Sequence, residues 1–144
     1  MADVVAGLLR RNNKVLLGLR KPGAKRGSLW EMPGGKVEQY EEHKTALRRE
    51  WREEVNLDIE VGERIAVATL DLEVCFTVTL YEVFATGTPE LLDHAELTWA
   101  NLHTAIEYMP CSPALYMHWP VVREWLRHWP IAASSYEQQR HPRH

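Results

Sequence analysis

Glu50, Glu53 and Glu54 stand at i, i+3 and i+4, a spacing that turns three carboxylates toward one face of a helix. Like charges at these separations cost about 0.2–0.5 kcal/mol per pair, and acids in the last turn of a helix lose a further ~0.3–1 kcal/mol against its dipole. A cation offsets both penalties. Oxygen donors with no cysteine or histidine near them in the sequence select a hard ion, so Mg²⁺ is expected, with Mn²⁺ also possible. The competing reading is a solvated mixed-charge face, because Arg48, Arg49 and Arg52 intersperse the acids. Just upstream, Met32-Pro33-Gly34-Gly35-Lys36 joins a rigid turn to two adjacent glycines. Such a turn lets backbone approach a phosphate or metal closely and lets a carbonyl point into the site.

These residues need a frame. Val4 to Arg10 and Lys14 to Arg20 read as a hairpin about Asn12-Asn13, followed by a mobile loop over 21–28 that carries Lys21, Lys25 and Arg26. Neither glycine nor proline interrupts Glu42 to Val55, where Ala46, Leu47, Trp51 and Val55 keep helical spacing. Ile59 to Leu72 and Cys75 to Ala85 read as strands, with Phe76, Val78 and Leu80 on one face and Thr77, Thr79 and Tyr81 on the other. A short strand is expected over Leu97–Ala100 and a short helix over Leu102–Tyr108. An amphipathic helix then runs through Leu115, Trp119, Val122, Leu126 and Trp129, with Pro120 either starting or kinking it. The polar stretch 131–144 shows no periodicity and is expected to be disordered, which leaves one domain over residues 1–130.

The 144 residues, 45% hydrophobic, suffice for one core without disulfides. A formal charge of -3 argues against binding a nucleic acid polymer through a basic surface, so any phosphate site is local. Cys75 and Cys111 lie far apart in no disulfide pattern, and the N-terminus has neither a basic region nor an apolar run, so a cytoplasmic protein with no membrane segment is expected. A nucleotide-sized partner and a monomer or homodimer are expected. His94 and His103 lack metal-ligand spacing and read as ordinary surface or core histidines.

The run from Gly35 through Glu41, then seven residues, then Arg49-Glu50-Trp51-Arg52-Glu53-Glu54-Val55-Asn56-Leu57, resembles the Nudix box. That pattern is G, five residues, E, seven residues, R-E-U-x-E-E-x-G-U, with U a bulky aliphatic. Gly35, Glu41, Arg49, Glu50, Glu53 and Glu54 all match it. Trp51 replaces an aliphatic, which enlarges the buried contact under the helix. Asn56 replaces a glycine and is the next-best residue for a left-handed helix cap.

The resemblance implies the Nudix fold, an α+β (α/β/α) sandwich whose mixed central sheet is flanked by the box helix and a C-terminal helix. It implies a pyrophosphohydrolase that cleaves phosphoanhydride bonds by water attack at phosphorus, with Glu50, Glu53 and Glu54 as catalytic metal ligands and the Gly34 carbonyl as a further one. The base is one of these glutamates, Glu50 first, or a residue on a later loop. Glu41 and Arg49 would pair to orient the box, with Gly35 as its structural turn. The surrounding sequence looks like the MutT-like branch, which converts nucleoside triphosphates, canonical or oxidised, to monophosphate and pyrophosphate. Arg20 and Lys36 would then face the substrate, and Ser112, in Pro110-Cys111-Ser112-Pro113, would stand where that branch reads the base. Phe76, Tyr81 and Trp99 are candidates for stacking on it. No proline lies between Asn56 and Thr88, and the first tyrosine after the box is Tyr81, which disfavours the ADP-ribose and diadenosine-polyphosphate branches. The alternatives are a nucleotide-sugar or dinucleotide pyrophosphatase, and a non-catalytic nucleotide-binding module, which typically lacks a box glutamate.

Overall fold

A computed structural model describes residues 1–140, with side chains through residue 128. The order is β1 (Ala2–Arg11), β2 (Lys14–Leu19), β3 (Trp30–Glu31), β4 (Gly34–Lys36), α1 (His43–Val55), β5 (Glu60–Asp71), β6 (Cys75–Phe84), β7 (Glu96–Ala100), α2 (Leu102–Tyr108) and α3 (Pro113–Arg140). The strands form one seven-stranded mixed sheet in the order β3-β2-β1-β6-β5, with β4 beside β1 and β7 beside β2. β1 runs parallel to β6 and antiparallel to β2 and β4. The first hairpin closes as expected, with Asn12 and Asn13 at φ 50° and 63°, the left-handed pair that two-residue hairpins need.

The sheet is covered on both faces. Leu8, Val15, Leu17, Val78 and Leu80 pack with α2 and α3 through Leu102, Ala105, Leu115 and Val122. Val5, Leu9, Leu16 and Val83 pack with α1 through Ala46, Leu47, Trp51 and Val55. In β2 the consecutive Val15, Leu16 and Leu17 are all buried, because a sheet covered on both sides makes both of its faces apolar. The α+β sandwich expected from the sequence is present.

α1 begins after Glu42, which supplies no side-chain cap. A hydrogen-bonded chain anchors its first residue instead: His43 Nε2 lies 2.7 Å from Asp3 and Nδ1 lies 2.9 Å from the Tyr81 hydroxyl. It ends at Asn56, in the left-handed conformation (φ 53°, ψ 45°). α3 starts at Pro113, where a missing N–H costs nothing, and passes through Pro120. It continues to Arg140, into the stretch for which the sequence predicts no order, and residues 141–144 lie outside the described ones. No described helix is long and apolar enough to cross a membrane. Cys75 and Cys111 are free thiols.

Candidate active site

Trp51 explains how the Pro33-Gly34-Gly35 turn is held. Its ring is fully buried, and Nε1–H donates to the Pro33 carbonyl at 2.9 Å. Gly7 N–H donates to the same oxygen at 2.9 Å, so the turn is clamped between β1 and α1. The next two residues permit close approach. A Cβ on Gly34 would sit 1.9 Å from the Val5 carbonyl oxygen, and one on Gly35 would sit 2.4 Å from the Glu50 carboxyl carbon.

Arg49 is the hub of the box. It grips Glu41 with two parallel bonds of 2.9 Å, donates to Glu50 Oε1 at 2.8 Å and to the Lys36 carbonyl at 3.0 Å, and lies 3.7 Å from Glu53. The bidentate bond to Arg49, joined by the Glu38 amide, holds the Glu41 carboxyl down at about 2. The guanidinium is correspondingly held above its ordinary pKa.

The three box glutamates do not share one environment. Glu54 is buried, Glu50 is nearly so, and Glu53 lies on the exposed lip at 60% side-chain exposure. Burial first, then the hydrogen-bonded Glu50 carboxyl and the charges of Glu31 and Asp93, push the Glu54 carboxyl far above the carboxylate range. Its Oε1 is buried without a hydrogen-bond partner. An orphaned carboxylate oxygen among three other carboxyl groups fits a divalent cation, whose charge would reverse both penalties.

Sequence spacing missed the residues that complete this cluster. Asp93, His94 and Glu54 bring ligand atoms within 4.8 Å of one another. His94 is buried, with Nε2 3.0 Å from Glu31 and 3.8 Å from Glu54. It reaches there because Leu92 N–H bonds the Glu54 carbonyl, Glu90 N–H bonds the Val55 carbonyl and Ala95 N–H bonds the Leu19 carbonyl, while Gly18 leaves room for the ring.

A cavity of about 230 Å³ adjoins the cluster, bordered by Gly34, Gly35, Lys36, Arg20, Glu31 and Ser112. Arg20 bonds Glu31 at 3.3 Å and the Lys25 carbonyl at 2.9 Å. The loop over 21–28, expected to be mobile, is tied down by Arg20–Leu29 and Ser28–Arg20 backbone bonds, by Lys25–Glu73 at 3.2 Å, and by Arg26 stacked on Phe76. Ser112 is the cap of α3: Oγ accepts from Leu115 N–H at 3.2 Å, and its backbone is bridged to Trp30. Of the candidate aromatics Phe76 borders the cavity, whereas Tyr81 is bonded to His43 and Trp99 lies beneath Arg11.

The NUDIX domain model matches residues 1–128. The chain is 36% identical over 118 residues to a CTP pyrophosphohydrolase of Escherichia coli, covering 79% of this chain and 85% of that one. It is 36% identical over 116 residues to a Mycobacterium tuberculosis protein provisionally named 8-oxo-dGTP diphosphatase 2, covering 76% and 81%. The crystal structure of a MutT NUDIX hydrolase from Burkholderia pseudomallei superposes with a TM-score of 0.77 at 23% identity, covering 84% of this chain and 97% of that one.

Proposed function

The chain belongs to the NUDIX family of hydrolases acting on phosphoanhydride bonds, and from that premise we propose that it cleaves a nucleoside or deoxynucleoside triphosphate to nucleoside monophosphate and pyrophosphate with Mg²⁺. One observation carries this reading: the Gly34-Gly35 turn, whose Gly35 lies against the Glu50 carboxylate, borders the same cavity as Arg20 and Lys36. A triphosphate bound there has its anhydrides at the carboxylates and its base toward Leu70, Phe76, Val78 and Leu115. The E. coli relative's name supports the substrate class.

Glu50, Glu53 and Glu54, with the Gly34 carbonyl, would hold the cation, which when bound supplies charge neutralisation and Lewis acidity at the phosphate oxygens; Mn²⁺ would substitute. Glu50 is the candidate base that takes a proton from the attacking water. One of its oxygens is already fixed by Arg49 at 2.8 Å, which orients the carboxylate before substrate arrives. Arg20 and Lys36 neutralise the phosphate chain, and Ser112 donates its hydroxyl hydrogen into the cavity. Gly35, Glu41 and Arg49 set the geometry.

The test is pyrophosphate release from a panel of nucleoside triphosphates with Mg²⁺, before and after Glu54→Gln. Turnover should vanish in the variant while its circular dichroism is unchanged. Turnover confined to nucleotide sugars or dinucleotides, with no pyrophosphate formed, overturns the substrate class.

A further inference from the structure

The cavity wall holds a polar group that phosphate chemistry does not use. His118 lies on α3, 3% exposed, and borders the cavity. Its Nε2 is 2.8 Å from the Val78 carbonyl oxygen. A carbonyl only accepts, so Nε2 carries the hydrogen and Nδ1 carries the lone pair. Burial lowers the imidazole's pKa against the opposing bond to Val78, which keeps the ring neutral near pH 7.

Nδ1 has no hydrogen-bond partner among the described residues. Nor is it among their sealed-off unpartnered side-chain atoms, such as Glu54 Oε1 and His94 Nδ1. The lone pair is therefore open, and for a residue buried on its other sides the opening is the cavity. Around it stand Leu70, Phe76, Val78 and Leu115, an apolar lining in which an unmet acceptor weighs more than in water. Ser112 differs from it in kind: its hydroxyl is spent as the cap of α3, accepting from Leu115 N–H, and it also carries a hydrogen to donate, whereas Nδ1 can only accept.

We propose that His118 is a specificity-determining residue whose Nδ1 accepts a hydrogen bond from an exocyclic amino group of the base, which makes cytosine- or adenine-type nucleotides the preferred substrates over their keto counterparts. The assignment rests on the triphosphatase reading above. A keto oxygen at the same place would face a lone pair with no proton between them, and both acceptors would lose their water. The residue acts on the ratio between two bases and leaves the anhydride chemistry alone.

The experiment compares kcat/KM for CTP with UTP, and for ATP with ITP, each pair exchanging an exocyclic amino group for a keto oxygen and with it the lone pair of the adjacent ring nitrogen for an N–H, in the native protein and in His118→Leu. The amino member should be favoured by at least about tenfold in the native protein. The ratio should fall toward one in His118→Leu, mainly through loss on the amino substrate. A structural role for His118 would lower both substrates together and leave the ratio intact, which overturns the assignment. A native ratio near one overturns it without recourse to the variant. If no triphosphate is turned over, the parent reading fails, and calorimetric binding of CMP against UMP still decides the base preference: equal affinities overturn it and tighter CMP binding supports it.

Discussion

Replacing Gly7 with alanine should destabilise this protein only while Trp51 is present. A Cβ at Gly7 would lie 2.8 Å from Trp51 Nε1 and 2.9 Å from Cε2 and Cζ2, closer than real Cβ atoms come. No glycine in the chain has positive φ, so alanine meets no backbone strain and the penalty is steric. Overpacking of this kind costs about 1–3 kcal/mol; taking about 2 kcal/mol, Tm should fall by about 4–8 °C for a domain of this size. Trp51→Leu removes the clash and the bond to Pro33, and itself costs about 3 kcal/mol in lost burial and cavity. In that background Gly7→Ala should cost little, giving a coupling energy of about 2 kcal/mol from denaturant unfolding of the four proteins. Strict additivity, within ~0.5 kcal/mol, would show that the indole does not occupy the space above Gly7.

Arg49→Gln should remove a specific acid sensitivity. Glu41 is held at about 2 against an ordinary 4.5, so its contribution is present above 4.5 and disappears as pH falls toward 2; urea melts across that window should be flatter in the variant. His118 has the opposite chemistry and the same sign. Its folded pKa lies below the ordinary 6.5, so stability is intact above 6.5 and declines as pH falls below it, a decline that His118→Leu should abolish in the same melts. Glu54→Gln should raise Tm in chelator while erasing any stabilisation by added Mg²⁺. With the folded pKa of Glu54 raised above 4.5, the cation-free native protein loses stability as pH rises past 4.5, and the amide does not; a Tm equal to or below that of the native protein in chelator would count against a buried uncompensated carboxylate.

What the sequence made legible is local. Glu50, Glu53 and Glu54 follow from helical spacing, the Asn56 cap from side-chain chemistry, and the Glu41–Arg49 pair from the register of one motif. The remainder depends on chain crossings. Asp93 and His94 join Glu54 only because three backbone bonds pin residues 90–95 to α1 and β2, and no spacing within their own segment announces it. His118 gains its meaning from a carbonyl forty residues away on β6. Trp51 was legible as a large core residue, yet its polar edge was not, since its partner belongs to a turn whose position only the packed helix reveals. Glu53 shows the converse: spacing grouped it with Glu50 and Glu54, but the helix turns far enough to leave it on the rim.

β1 supplies residues to both cores, with Leu8 facing α2 and α3 and Val5 and Leu9 facing α1, and it pairs with β2, β4 and β6. Neither half of the sandwich can come apart without breaking that strand. Local opening should therefore be confined to the rim, in the short β3 and β7, while the amides of Val5 to Leu9 exchange with solvent only when the whole molecule unfolds. The turn carrying Gly34 and Gly35 is fastened to this last-opening strand, so the phosphate side of the site inherits the rigidity of the slowest part of the protein, whereas Asp93 and His94, on a loop beside β7, ride on a faster one.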